Sequence, residues 1–197
     1  MMADSDARNE KAAVAGAVTG SAATESAATV GGATAAGGTV AAGKSRLTAI
    51  TLDAKSISRA NPNVEHEREV AIYDILDANE FALDGRDDGP YTLHLSIVED
   101  RLLFTIGTQG TPPTFTVLLS LTTLKRTIKD YFLVCDTYYQ AIKTAPPSRI
   151  QAIDMGRRAL HDEGSRHLAD RLKGKIVLDH PTARRLFTLI CALHWKG

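Results

Sequence analysis

At Ser120 the hydrophobic period of this sequence changes from two to about three and a half. Before that point Tyr91, Leu93, Leu95 and Ile97 alternate with Thr92, His94 and Ser96. Glu99-Asp100 makes a polar turn, Arg101 to Ile106 returns, and Gly107 to Pro113 is a loop. Thr114 to Leu119 then alternates again, with Phe115, Val117 and Leu119 on one side. Successive side chains of a strand point to opposite faces, so this pattern predicts an antiparallel meander with one apolar face. After Ser120, the residues Leu121, Leu124, Ile128, Tyr131, Cys135, Tyr138 and Ile142 step by three or four positions. That is one continuous stripe along a helix, and Pro146-Pro147 stops it.

The flanks extend this frame. Arg46 to Asp53 alternates as a strand, with Thr48, Ile50 and Leu52 on one side. Asn61-Pro62-Asn63 opens a helix whose inner side carries Ile72, Ile75, Leu76 and Asn79, with Glu65, Glu67 and Glu69 near its positive end. Ser148 and Gln151 form a capping-box pattern for a helix that runs to about Leu172. Lys175 to Asp179 reads as a short strand. A last helix after Pro181 reaches about His194 and is apolar around much of its circumference, which predicts deep packing. The expected order is β-α-β-β-β-α-α-β-α. It lacks the regular alternation of a doubly wound sheet, so the fold class is α+β.

This domain occupies residues 45–197. Residues 1–44 differ: Ala, Gly, Thr, Ser and Val fill 34 of the 44 positions, and Leu, Ile, Pro and aromatic residues are absent. Such a segment buries too little apolar surface to offset its ordering entropy, so it is expected to be a disordered tail. Its acidic start and its weakly apolar run from Ala12 to Val18 do not fit a secretory signal. No stretch approaches the roughly 18 apolar residues of a membrane span. Two cysteines exclude a disulfide scaffold. Cys135 on the helical stripe and Cys191 beside Ile190 read as buried thiols without catalytic character.

Gly38 to Ser45 fits the phosphate-loop pattern G-x-x-x-x-G-K-S letter for letter. A true phosphate loop follows a strand and opens a helix. Here low-complexity sequence precedes it and an alternating segment follows, so nucleotide binding is not expected.

The densest polar stretch is Asp154 to His167. Arg158, Asp162, Arg166 and Asp170 fall at successive i,i+4 steps, the pattern of a solvated ladder. Glu163 and His167 share a face, but a metal site would need further ligands from His161, His180 or His66, and no metal or other cofactor is expected. His66 stands among carboxylates beside Glu65, an arrangement that could form an acid/base pair or ordinary surface ion pairs. Candidate catalytic residues are therefore His66, Glu65, His161, Glu163 and His167. Candidate anion-binding residues are Arg157, Arg158, Arg184 and Arg185, the last two lying where a helix dipole disfavours cations, so that something acidic is expected to face them. Gly156 and Gly164, inside the same helix, suggest close helix packing.

Several strings are distinctive: Asn61-Pro-Asn-Val-Glu-His-Glu-Arg68, Gly89-Pro-Tyr-Thr-Leu-His-Leu95, Ile153-Asp-Met-Gly-Arg-Arg158, Leu160-His-Asp-Glu-Gly-Ser165 and Ala183-Arg-Arg-Leu-Phe-Thr-Leu-Ile-Cys191. With Ile128-Lys-Asp-Tyr-Phe132, Tyr138-Tyr-Gln-Ala-Ile142 and Leu193-His-Trp-Lys-Gly197, they resemble uncharacterised protein family 0262 of alphaproteobacteria over residues 45–197. The resemblance implies a small cytoplasmic bacterial protein. It brings no activity, cofactor or catalytic residue that could be carried over to this chain.

Charge supplies the remaining functional signal. The formal net charge is zero. Residues 45–120 hold 6 basic and 12 acidic side chains, whereas residues 121–197 hold 14 basic and 7 acidic ones. If the halves form different surfaces, the domain has an acidic and a basic face that could steer a protein partner or self-association. A non-enzymatic interaction or regulatory module is thus the expected function. A small enzyme or binding protein for an anionic ligand, using the Arg/His-rich segment, is the alternative. Nucleic-acid binding lacks a recognisable motif.

Overall fold

The structure is a computed structural model, and it describes residues 43–194 except Ser58, Gln109, Pro113 and Thr114. Residues 1–42 of the expected tail, which include the first five positions of the phosphate-loop pattern, and Trp195 to Gly197 lie outside the described residues. The elements are β1 (Leu47–Leu52), α1 (Pro62–Asp77), β2 (Phe81–Leu83), β3 (Tyr91–Val98), β4 (Arg101–Thr108), β5 (Phe115–Ser120), α2 (Thr122–Thr144), α3 (Pro147–Leu172), β6 (Ile176–Leu178) and α4 (His180–His194). The fold is α+β.

The antiparallel meander forms as expected, with Leu93 opposite Ile106 and Phe104 opposite Val117. β1 adds to it in parallel beside β3, giving a four-stranded sheet ordered β1-β3-β4-β5. The polar turn holds Glu99 at φ 48 and Asp100 at φ 61, the left-handed pair that lets a two-residue hairpin match the twist of its strands. Asp100 also accepts a hydrogen bond from Lys125 Nζ at 2.8 Å, which ties the turn to the start of α2.

Three details depart from the sequence pattern. Leu47 and Ile50, rather than Thr48, Ile50 and Leu52, are the buried residues of β1, because the pairing with β3 shifts register between Leu47 and Ala49. A bulge of this kind resets the alternation. β2 was not legible: three residues are too short to show a period, and β2 exists as the antiparallel partner of β6. The capping box at Ser148 does not form, because α3 starts two residues earlier than that cap requires. Pro146 takes the cap position and makes no side-chain hydrogen bond, while its carbonyl accepts from Arg149 N at 3.0 Å.

Elsewhere the local chemistry acts as written. Asn61 Oδ1 accepts from Val64 N at 3.0 Å and Pro62 occupies the first turn of α1. Asn79, after α1, clasps the start of β1: its Oδ1 accepts from Leu47 N at 2.6 Å, and its Nδ2 donates to Leu47 O at 3.2 Å and to Ile75 O at 2.8 Å. Ser45 leads into a strand, not a helix, and Lys44 Nζ lies 3.6 Å from the Asp87 carboxylate. These are not the surroundings of a phosphate loop.

A single core joins the inner sheet face (Leu93, Leu95, Phe104, Ile106) to α2 (Leu124, Ile128), α3 (Leu168, Leu172) and α4 (Leu186, Ile190). α4 packs on both α1 and α3, and α3 packs on α2. Nine residues of α4 are buried, from Thr182 to Leu193, as its apolar circumference predicts. No helix of the described residues is long and apolar enough to cross a membrane.

Candidate functional site

α3 has 26 residues, and none before His161 is buried. At about 1.5 Å per residue, the span from Pro147 to Leu160 carries the α2–α3 hairpin about 20 Å beyond the part of α3 that is anchored in the core. The apolar stripe of α2 continues onto this arm, where Ile142 is 47% exposed; Met155 of α3 is 66% exposed. Tyr138 and Tyr139 are half-buried, each with a cation over its ring: Arg157 at 5.2 Å and Lys143 at 4.0 Å. Between Tyr138 and Leu160 the charged side chains are Lys143, Arg149, Arg157 and Arg158 against Asp154.

At the root of the arm, α2, α3 and α4 enclose a polar cluster. His161 is only 3% exposed and lies between two rings set edge-on, Tyr131 at 5.3 Å and Phe187 at 5.2 Å between centroids. The ring of Phe187 reaches this position because Gly164 lacks a side chain: a Cβ there would stand 2.2 Å from Phe187 Cζ. Gly156 meets nothing within 4 Å, so only Gly164 serves the close packing expected of both. His161 Nε2 lies 2.9 Å from Thr188 Oγ1, and Thr188 Oγ1 donates to Arg184 O at 3.2 Å. His161 Nδ1 is buried and has no hydrogen-bond partner.

Ion pairs frame the cluster. Asp154 pairs with Arg157 at 2.6 Å and with Arg158 at 2.8 Å. Asp162 pairs with Arg184, and His180 Nε2 stands 3.7 Å from the same carboxylate. The solvated ladder read from the sequence is therefore not built, because Arg158 turns to Asp154 and Asp162 turns to α4. Three guanidiniums face two carboxylates.

The electrostatics follow from burial. Desolvation, joined by the charges of Arg184, Arg157 and His180, pushes the His161 pKa down from 6.5 to about 3, so the ring is neutral at ordinary pH. Burial drives the Tyr131 hydroxyl far above its ordinary range, and the charge of Cys135 adds to this. Burial lowers Arg184, and the charges of Arg157 and Arg158 contribute. Burial alone would raise Asp154, but the Arg157 hydrogen bond and the charges of Arg157 and Arg158 hold it below the usual carboxylate range. Cys135 and Cys191 are both buried with thiols raised by desolvation, as their positions predicted.

The structure thus gathers His161, Arg157, Arg158 and Arg184, and separates the other candidates from them. Glu65 is a structural partner: its Oε1 accepts from Arg68 Nη1 at 2.8 Å and from Ala60 N at 2.7 Å, and Arg68 Nε donates to Ala192 O at 3.2 Å. The neighbouring His66 is exposed, and no hydrogen bond joins it to Glu65. Glu163 and His167 share the side of α3 that faces away from His161, Glu163 exposed and His167 half-buried. The charge of Arg185 is felt at Asp74 of α1, where it opposes the rise that burial imposes. Arg184 meets a carboxylate, as expected of both α4 arginines. Among the described residues no three His, Cys, Asp or Glu side chains gather as a metal site. Sequence reading missed Tyr131 and Thr188. Tyr131 lies on a stripe that reads as core, and the only trace of Thr188 is its i,i+4 spacing from Arg184.

Fold and site together define a small α+β domain with a projecting helical hairpin and a guanidinium-rich cluster at its root. The chain belongs to the Uncharacterised protein family (UPF0262), which matches residues 44–196. It is 57% identical over 153 residues to a UPF0262 protein of Rhodopseudomonas palustris strain TIE-1, covering 78% of this chain and 94% of that protein. It is 56% identical over 154 residues to those of Nitrobacter winogradskyi and of a Bradyrhizobium strain, in each case covering 78% of this chain and 92% of the relative. No solved structure matches.

Proposed function

We propose that the domain is a non-enzymatic interaction or regulatory module of the cytoplasm, and that its basic face is the α2–α3 arm. One observation carries this reading: the first half of α3 buries none of its residues, so it adds length without adding to the core. A helix retained without a core of its own has its use outside the domain. The exposed Met155 and Ile142, set among Lys143, Arg149 and Arg158, suit an acidic partner with an apolar centre. The test compares the intact domain with a triple variant, Lys143→Glu, Arg149→Glu and Met155→Glu, all three at exposed positions. The intact domain should retain a salt-sensitive protein partner from lysate, or self-associate in light scattering, and the variant should do neither. Identical retention by both proteins, with both monomeric throughout, would refute the reading.

A second reading is a binding protein for a small anion. It is favoured by the convergence of Arg157, Arg158 and Arg184 on one cluster with two carboxylates. A neutral buried imidazole without a paired acid supports binding there rather than acid/base catalysis.

A further inference from the structure

We propose that the cluster at the root of the arm binds an anion that carries its own proton, a hydrogen phosphate or the monoanion of a phosphomonoester; this rests on the second reading above.

The argument begins with one hydroxyl. Thr188 has a single proton to donate. Its bond back to Arg184 O, four residues earlier on the same helix, uses that proton. The 2.9 Å contact with His161 Nε2 is then a bond in which the imidazole donates and Thr188 Oγ1 accepts. A neutral imidazole carries one N–H, so Nδ1 is left as a bare lone pair. It is a buried acceptor that no protein donor meets. Buried acceptors are seldom left unpaired, and such a group is a place to look for a ligand.

The charge around it is of the opposite kind. Arg157 and Arg184 lie close enough for their fields to act on His161. The Arg157 side chain is 12% exposed, that of Arg184 34% and that of Arg158 59%, so Arg158 and Arg184 form the open side of the cluster. Guanidiniums bind phosphate oxygens through paired N–H donors. Three of them against two carboxylates leave one positive charge in excess. A wholly deprotonated anion would satisfy the guanidiniums and turn another lone pair toward Nδ1. An anion with one P–OH satisfies both: its oxygens accept from arginine and its hydroxyl donates to His161 Nδ1.

The test titrates the full chain by calorimetry at about pH 5.5, where phosphate and its monoesters keep a proton and sulfate has none. The probes are inorganic phosphate, phenyl phosphate and sodium sulfate. Phosphate should bind at least tenfold more tightly than sulfate. His161→Phe keeps the ring between Tyr131 and Phe187 but removes the Nδ1 acceptor, and should erase that preference. Arg184→Gln should weaken both ions. Equal binding of phosphate and sulfate would overturn this inference and leave the anion reading standing. Failure of all three probes would overturn both. Phenyl phosphate binding as tightly as phosphate would point to an esterified ligand, and its exclusion to the free ion. Nitrogen NMR of His161 gives a readout independent of the variants. It should show the Nε2-protonated tautomer, with the Nδ1 resonance moving as phosphate is added; an Nδ1-protonated ring would overturn the assignment.

Discussion

Replacing Gly164 and Gly156 of α3 with alanine, one at a time, should change stability in opposite directions. Both sites are helical, so each substitution gains helix propensity of about 1 kcal/mol. At Gly156 nothing lies within 4 Å of the new methyl, and that gain should stand. At Gly164 the methyl would lie 2.2 Å from Phe187 Cζ, 2.6 Å from Cε2 and 2.7 Å from Cε1. The ring cannot swing freely, because it is fully buried and stands edge-on to His161 at 5.2 Å and to Tyr131 at 6.3 Å. Overpacking costs about 1–3 kcal/mol, and displacing the ring weakens two aromatic contacts worth roughly 0.5–1.5 kcal/mol each. Gly164→Ala should therefore destabilise by about 1–3 kcal/mol net, and Gly156→Ala should stabilise by up to about 1 kcal/mol. Urea denaturation followed by circular dichroism reads both. With a slope of about 1–3 kcal/mol per molar, the two midpoints should separate by roughly 1–2 M. Adding Phe187→Leu to Gly164→Ala should cost less than the sum of the single changes, because the methyl and the ring contend for one space. If both glycine variants move the midpoint upward, the close approach of α3 and α4 at Gly164 is wrong.

Two other outcomes follow from the buried titratable groups. Above pH 6.5 His161 is neutral in both folded and unfolded chains; below it the unfolded chain takes up a proton that the folded one refuses until about pH 3. Stability should therefore fall as acid is added through that window, by about 2 kcal/mol between pH 6.5 and about pH 5, and urea midpoints for His161→Gln should lack that portion of the slope. Cys135 and Cys191 are buried with raised thiols, so in native buffer a disulfide reagent should label neither on the timescale that labels both in urea; rapid native labelling would contradict their place in the core.

The two hydrophobic periods made most of the fold legible. Tyr91 to Leu119 and Leu121 to Cys135 place the sheet and its first helix with their inner faces correct. What escaped depended on partners remote in sequence. β2 exists because β6 lies beside it, and Leu47 is inward because a bulge against β3 turns it there. The site was half legible for a related reason. Arg157, His161 and Arg184 stand out as charged or titratable residues within helical patterns, but polarity does not say which carboxylate each one meets. Asp162 is as well spaced for Arg158 and Arg166 along α3 as for any residue across it, and only the packing of α4 selects Arg184. Tyr138 and Ile142 show the converse. They continue the stripe of α2 without a break, yet the core ends beneath them.

The burial of α4 has a consequence for how the domain is made. Synthesis delivers the chain from its N-terminus, and segments fold as their partners emerge. The meander can pair early, since its strands are neighbours in sequence. α3 can dock on α2 as it emerges, but neither α1 nor α3 can complete its packing then, because the helix against which both pack comes later in the chain. Until Leu186, Phe187 and Ile190 arrive, the inner sheet face and one flank of α3 remain open to water and to other chains. The last helix acts as a keystone, so a nascent chain lacking it is an apolar-faced intermediate that chaperones would be expected to hold.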